Sequence, residues 1–163
     1  MRNWPTLASV GTTLVLGALA LTACAPSSGP APKGGEDAQV RSLGTVEVTA
    51  RLLEIPDGAI FQRDLYDYAT LLKYEVVAVH RGPVEKGVTI YVGHYNPWKP
   101  RPEAADPRAK GVGGTLRQFK AGQWHRLALE LPMDDHFMGG IVDKYFGQHT
   151  GPVYWAVWTN LAD

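Results

Sequence analysis

The most polar cluster of the sequence is Asp134-Asp135-His136, with Asp143 and His149 further along the chain. Carboxylate oxygens and imidazole nitrogens are donors that a divalent cation accepts, so Asp134, Asp135 and His136 admit a small metal-dependent enzyme. The same run suits a turn, because neighbouring Asp side chains accept hydrogen bonds from nearby backbone amides. Covalent catalysis has less to work with. From Thr45 to the end there is no Ser and no Cys, so Ser-His-Asp and Cys-His arrangements lack their nucleophile, and no motif surrounds a Thr that would replace it. Gly111-Val112-Gly113-Gly114 lacks the Lys-Ser/Thr ending and the strand-turn-helix setting of a phosphate cradle. Glycosidase carboxylates are defined by their separation in space, and no pair stands out along the chain. No catalytic residue and no cofactor is expected.

Recognition chemistry is better represented. The segment from His94 to Pro102 carries Pro97, Pro100 and Pro102, which stiffen it and reduce the entropy lost on binding. Displayed on such a loop, Tyr95 and Trp98 would offer ring faces to a sugar, and His94 and Arg101 would hydrogen-bond its hydroxyls. Alternatively, Trp98 closes the open end of a barrel and the prolines only end strand pairing. Near the carboxyl terminus, alternation puts Tyr154 and Trp158 on one face and Trp155, with Val153 and Val157, on the other. If the first face is external, Tyr154 and Trp158 form an exposed aromatic pair suited to a ligand; otherwise both are core.

The elements that would hold these residues are mainly strands. Thr45 to Leu52 alternates, with Val46, Val48, Ala50 and Leu52 facing inward and Thr45, Glu47, Thr49 and Arg51 outward. Ile55-Pro56-Asp57-Gly58 has turn chemistry. Asp64 to Leu72 fits neither period well and reads as irregular. Lys73 to Arg81 and Val88 to His94 flank Gly82 to Gly87 and read as a hairpin. Gln123 to Leu131 and Tyr154 to Thr159 complete the set, with no long amphipathic helix. The expected fold is all-β: a small antiparallel barrel of OB-like type with short helical or irregular insertions, closed because closure removes sheet edges.

The 163 residues carry 16 Lys+Arg against 16 Asp+Glu, which removes the charge excess that a nucleic-acid partner needs. The lone Cys cannot form an internal disulfide. Residues 1–23 read as a lipoprotein signal peptide: Arg2, an apolar run from Leu7 to Leu21 that is shorter than the ~20 residues of a bilayer span, then Leu21-Thr22-Ala23 before Cys24. Cys24 is then a lipid anchor, each buried methylene of its acyl chains contributing about 0.8 kcal/mol of membrane affinity. Ala25 is not an acidic retention residue, so the periplasmic face of the outer membrane is favoured if the cell is Gram-negative. Residues 24–44 are rich in Pro, Gly and Ser and read as a tether, which leaves residues 45–163 for the barrel.

A resemblance enters on three stretches: Tyr68-Ala69-Thr70-Leu71 with Tyr74-Glu75-Val76-Val77-Ala78-Val79 and Gly82; Ile90-Tyr91-Val92-Gly93-His94-Tyr95; and Phe119 to Glu130. They resemble netrin-like, TIMP-type OB-fold domains and, more closely, small exported bacterial proteins of unassigned function, some of them associated with loci for acetylated exopolysaccharides. The resemblance implies a cell-envelope lipoprotein acting as a binding or accessory module, for a polysaccharide or its modification machinery. A protein-interaction or assembly module is the competing expectation. Protease inhibition of the TIMP kind is not implied, because it requires a free amino-terminal Cys on a disulfide-locked domain, whereas Cys24 is the expected lipid site.

Overall fold

The computed structural model describes residues 37–56, 67–149 and 151–162. Residues 1–36, with the expected signal peptide and Cys24, lie outside them, as do Asp57 and Gly58 of the expected turn. Among the described residues six strands follow one short helix: α1 (Ala38–Ser42), β1 (Val46–Glu54), β2 (Ala69–Arg81), β3 (Thr89–Tyr95), β4 (Trp124–Glu130), β5 (Ile141–Val142) and β6 (Tyr154–Leu161).

Five of the strands close on themselves in the order β1-β4-β6-β3-β2, with β2 pairing back to β1. This is the OB-like connectivity of a Greek-key barrel. It is mixed rather than wholly antiparallel: β3 pairs with β6 in parallel, and β5 pairs in parallel with the start of β2. The 13-residue β2 is long enough to change partner, lying against β5 through Ala69 and Thr70 and against β1 from Lys73 to Arg81. Its first turn of chain, expected to be irregular, is strand.

Two cores explain that misreading. Inside the barrel, Val46, Val48, Ala50 and Leu52 of β1 meet Leu72, Tyr74 and Val76 of β2, Val92 of β3 and Leu127 and Leu129 of β4. Outside β2, β3 and β6 lies a second apolar layer, in which Ala69, Leu71, Tyr95 and Trp155 are covered by Met133, Phe137 and Tyr145 from the 131–153 connection and by Ala104, Ala109 and Val112. Phe137 stacks on Trp155 at 5.0 Å. Residues 69–72 are therefore buried on both faces, and the period-2 contrast that marks a half-solvated strand is absent.

The outward face of β1 is also less exposed than expected. Glu47 and Thr49 are buried. Arg126 grips the Glu47 carboxylate at 2.6 and 3.0 Å, and Arg81 approaches it at 3.3 Å. Charge pairing of this kind lets a carboxylate leave water that an unpaired one would retain.

The folded region also begins earlier than residue 45. Asp37 caps α1 by accepting from Gln39 N–H, and its second carboxylate oxygen accepts from Trp158 Nε1 at 2.7 Å and Asn160 Nδ2 at 2.9 Å. Val40 is buried beneath, and Arg81 donates to the carbonyls of Arg41, Leu43 and Gly44. Residues 37–44, expected in the tether, are docked on the barrel. Among the described residues no helix is long and apolar enough to cross a membrane.

Candidate functional site

The residues expected to make contacts from the 94–102 loop are mostly inside the protein. His94 is fully buried in the barrel, where its Nε2 lies 3.1 Å from Tyr74 Oη, and His125 Nδ1 lies 3.1 Å from the same oxygen. The phenol has one proton, so it donates to one imidazole and accepts from the other. Burial lowers the proton affinity of both rings, that of His125 to about 4, and the nearby Arg101 charge pushes His94 down further. Phe119 packs edge-on to both imidazoles at 4.7 and 5.5 Å.

Arg101 is only 2% exposed. Its Nη2 donates to the Asn96 carbonyl at 2.6 Å and the Lys99 carbonyl at 3.2 Å, and its guanidinium lies 5.3 Å from the Phe119 ring centre. Burial brings it down to about 10, which leaves it charged at neutral pH. Arg101 thus fastens the loop from within rather than reaching out of it. Tyr95 is buried in the outer layer, its hydroxyl donating to Asp106 at 2.6 Å. Trp98 is half-buried against the inner core and 4.6 Å from the Tyr68 ring, which is the placement of a plug at the barrel end.

The carboxyl-terminal aromatic pair does not share a face. A register shift in the β4–β6 ladder, with Ala128 opposite Trp158 but Leu129 opposite Ala156, breaks the alternation between Tyr154 and Trp158. Tyr154 and Ala156 join the inner core, while Trp158 is tied to Asp37. The expected exposed platform is absent.

Asp134, Asp135 and His136 form a short 3-10 turn over Met133–Asp135 and its cap, and all three side chains are exposed. Among the described residues no three His, Cys, Asp or Glu groups are placed to hold a metal ion. Asp143 and His149 do meet: Asp143 Oδ2 is 3.1 Å from His149 Nε2, and its Oδ1 accepts from Tyr145 N–H at 2.8 Å. Asp134 to His136 take no part in that pair.

A cleft of about 540 Å³ lies between the β2–β3 connection and the stretch leading into β6. Pro83, Val84, Val88 and Ile90 give it an apolar wall; Tyr91, His149 and Tyr154 give it rings; Glu85, Thr89 and Gln148 give it exposed polar groups. The site is built by local chain chemistry. Gly82 and Gly87 take positive φ at the two ends of the β2–β3 connection, which holds Val84 at the mouth of the inner core. Opposite, Asp143 fixes the His149 ring, which packs 5.3 Å from Tyr91, and the Tyr145 ring lies 5.0 Å from Tyr91.

Of the expected contact residues only Tyr154 reaches this cleft. Tyr91, Thr89, Glu85 and Gln148 were not anticipated. One signal for Tyr91 was present: Ile90, Val92 and His94 alternate inward, which sends Thr89 and Tyr91 to the other face. No protein-family model, curated protein or solved structure matches the chain.

Proposed function

We propose that the chain is a non-catalytic binding module of the cell envelope, anchored through a lipidated Cys24, and that it serves as an accessory part of polysaccharide-modification machinery. The observation that carries the binding assignment is the cleft beside β3. Its volume is in the range of ligand sites, and rings, apolar walls and a few polar groups converge there. The chemistry around it suits contact rather than covalent turnover. His149 on its wall is paired with Asp143 behind it, and no Ser or Cys stands in the chain from Thr45 onward to be activated by that pair. The envelope setting rests on the Leu21-Thr22-Ala23-Cys24 motif, and the polysaccharide setting on the resemblance described above.

Two measurements test this reading. Metabolic labelling with a palmitate analogue should mark the wild-type chain and leave Cys24→Ser unmarked and released from membranes; an unlabelled wild-type chain overturns the anchor. Titration with acetylated polysaccharide fragments, or with purified components of the modification machinery, should show binding that Tyr91→Ala and Gln148→Ala weaken by roughly tenfold, the loss of about 1.4 kcal/mol. Binding that both variants leave unchanged removes the cleft from the function.

A further inference from the structure

We propose that the cleft binds an extended polypeptide segment of a partner protein, which adds as a strand to the open edge of β3 at Thr89–Tyr91. This rests on the reading of the cleft as the binding site and names the class of its occupant. The β2–β3 ladder runs in register from Ala69 opposite Tyr95 to Glu75 opposite Thr89. Beyond it, Val76 N–H donates to Val88 C=O. That bond sets the alternation of an antiparallel pair: residues 88, 90 and 92 turn their amide groups toward β2, and residues 89, 91 and 93 turn theirs to the opposite side.

On that opposite side β6 is the neighbour, but its pairing starts only with Val92 opposite Tyr154. The chain before Tyr154 cannot extend the ladder. Pro152, the next residue before Tyr154 whose backbone groups would face β3, has no N–H to offer the Thr89 carbonyl, and Met133 N–H holds the Val153 carbonyl on the other side at 2.8 Å. No backbone hydrogen bond joins Thr89 or Tyr91 to the described residues of the 148–153 stretch. The N–H and C=O of Thr89 and the N–H of Tyr91 therefore face the cleft beyond the end of the β6 ladder.

An unpaired strand edge inside a walled cleft is a template for a further strand. The two sides of the cleft differ, as the alternating side chains of such a strand require. Val84, Val88 and Tyr154 line the side nearer the barrel core, and Tyr91 and His149 the outer side. The incoming strand would place an apolar side chain toward the first group and its neighbours toward the second. A sugar ring could stack on Tyr91 or Tyr154 but would make no systematic use of a row of backbone groups spaced for a polypeptide.

The test uses the full chain in detergent and a short peptide of alternating Val and Thr with Lys at each end. Hydrogen exchange at the Thr89 and Tyr91 amides should slow by roughly tenfold or more when the peptide binds. Peptides N-methylated at every Val or at every Thr should behave unequally, one losing binding by roughly tenfold and the other keeping it, because a strand presents only one edge to β3. Thr89→Pro should lose peptide binding while its thermal unfolding stays near that of wild type, since the N–H it removes points away from β2. If Thr89→Pro unfolds, the methylated peptides still decide the matter.

Equal binding of both methylated series overturns strand addition. So does protection of Thr89 and Tyr91 that rises with protein concentration in the absence of peptide, which would make a second copy the occupant. If polysaccharide fragments perturb the cleft and the peptide does not, strand addition fails while the cleft remains the binding site. If neither probe affects any cleft residue, both readings fall.

Discussion

His94 and His125 are held neutral on either side of Tyr74, and that arrangement ties stability to pH. Their folded-state proton affinities are depressed, His125 to about 4, whereas in the unfolded chain each takes up a proton near 6.5. Protons then bind preferentially to the unfolded chain, so stability is retained above pH 6.5 and lost as pH falls from there toward 4. Urea denaturation at pH 7, 6 and 5 should show a decline approaching about 1.4 kcal/mol per pH unit for each ring. The slope should be shallower in His125→Gln, and a flat profile in wild type would contradict the assignment. Glu47 makes the second case at this scale. Glu47→Ala leaves Arg126 and Arg81 without their shared carboxylate and should cost about 3 kcal/mol by denaturant unfolding. Neither role was legible from the sequence. Alternation assigned Glu47 to solvent because it reports the pleat of one strand and contains nothing about an Arg brought alongside from β4. His94 likewise read as a loop residue because its partners, Tyr74 and His125, are distant in sequence.

The strands themselves were largely legible, because β1, β3, β4 and β6 each bury one alternating set of side chains in the barrel. Where the sequence misled, a second layer of packing was responsible. The start of β2 is apolar on both faces, and the outer cover comes from a connection whose shape the sequence does not encode in any period. Helix α1 is too short to show periodicity, and Asp37 docks it through Trp158 and Asn160. Asp37→Ala removes the acceptor for both donors and should lower stability by about 2 kcal/mol, and proteolysis should then begin within residues 37–44. A second element-level expectation concerns the segment along β6. Gly113 exchanges backbone bonds with Val157 and Thr159, and Gly114, at φ +133, would bring an added Cβ to 1.9 Å from the Thr159 carbonyl oxygen. Gly114→Ala should therefore destabilise the fold by more than about 3 kcal/mol, read as a loss of melting temperature. Gly122→Ala, with positive φ but open space around its Cβ, should cost less than half as much.

For the molecule as a whole, closure accounts for both the architecture and the position of the cleft. The sequence indicated a closed barrel from strand count and the need to remove edges, and the structure closes five strands while leaving a part of β3 that β6 does not reach. The site residues were less legible than the fold because aromatic and cationic side chains on a stiff loop look alike whether they face a ligand or plug a barrel. Trp98 and Arg101 do the latter. Their burial moves the proposed site to the cleft at Tyr91, Thr89 and Tyr154, on the side of the barrel where the 131–153 connection enters β6.

The strand that completes the barrel follows the other four barrel strands along the chain. β6 alone joins β3 to β4, through Val92 and Gly93 on one side and residues 125–130 on the other. Until Tyr154–Leu161 arrives, β1 to β4 can form only an open sheet with two exposed edges, one of them carrying the apolar residues of both cores. The four earlier strands therefore cannot become a barrel until β6 is in place. Deleting residues 154–161 should yield aggregated protein rather than a weakened monomer, as judged by sedimentation after refolding. A separately supplied peptide spanning those residues should return part of the material to solution by filling the same gap. Four strands thus hold an incomplete fold, and the arrival of one strand decides at once the closure of the barrel and the cover of both cores.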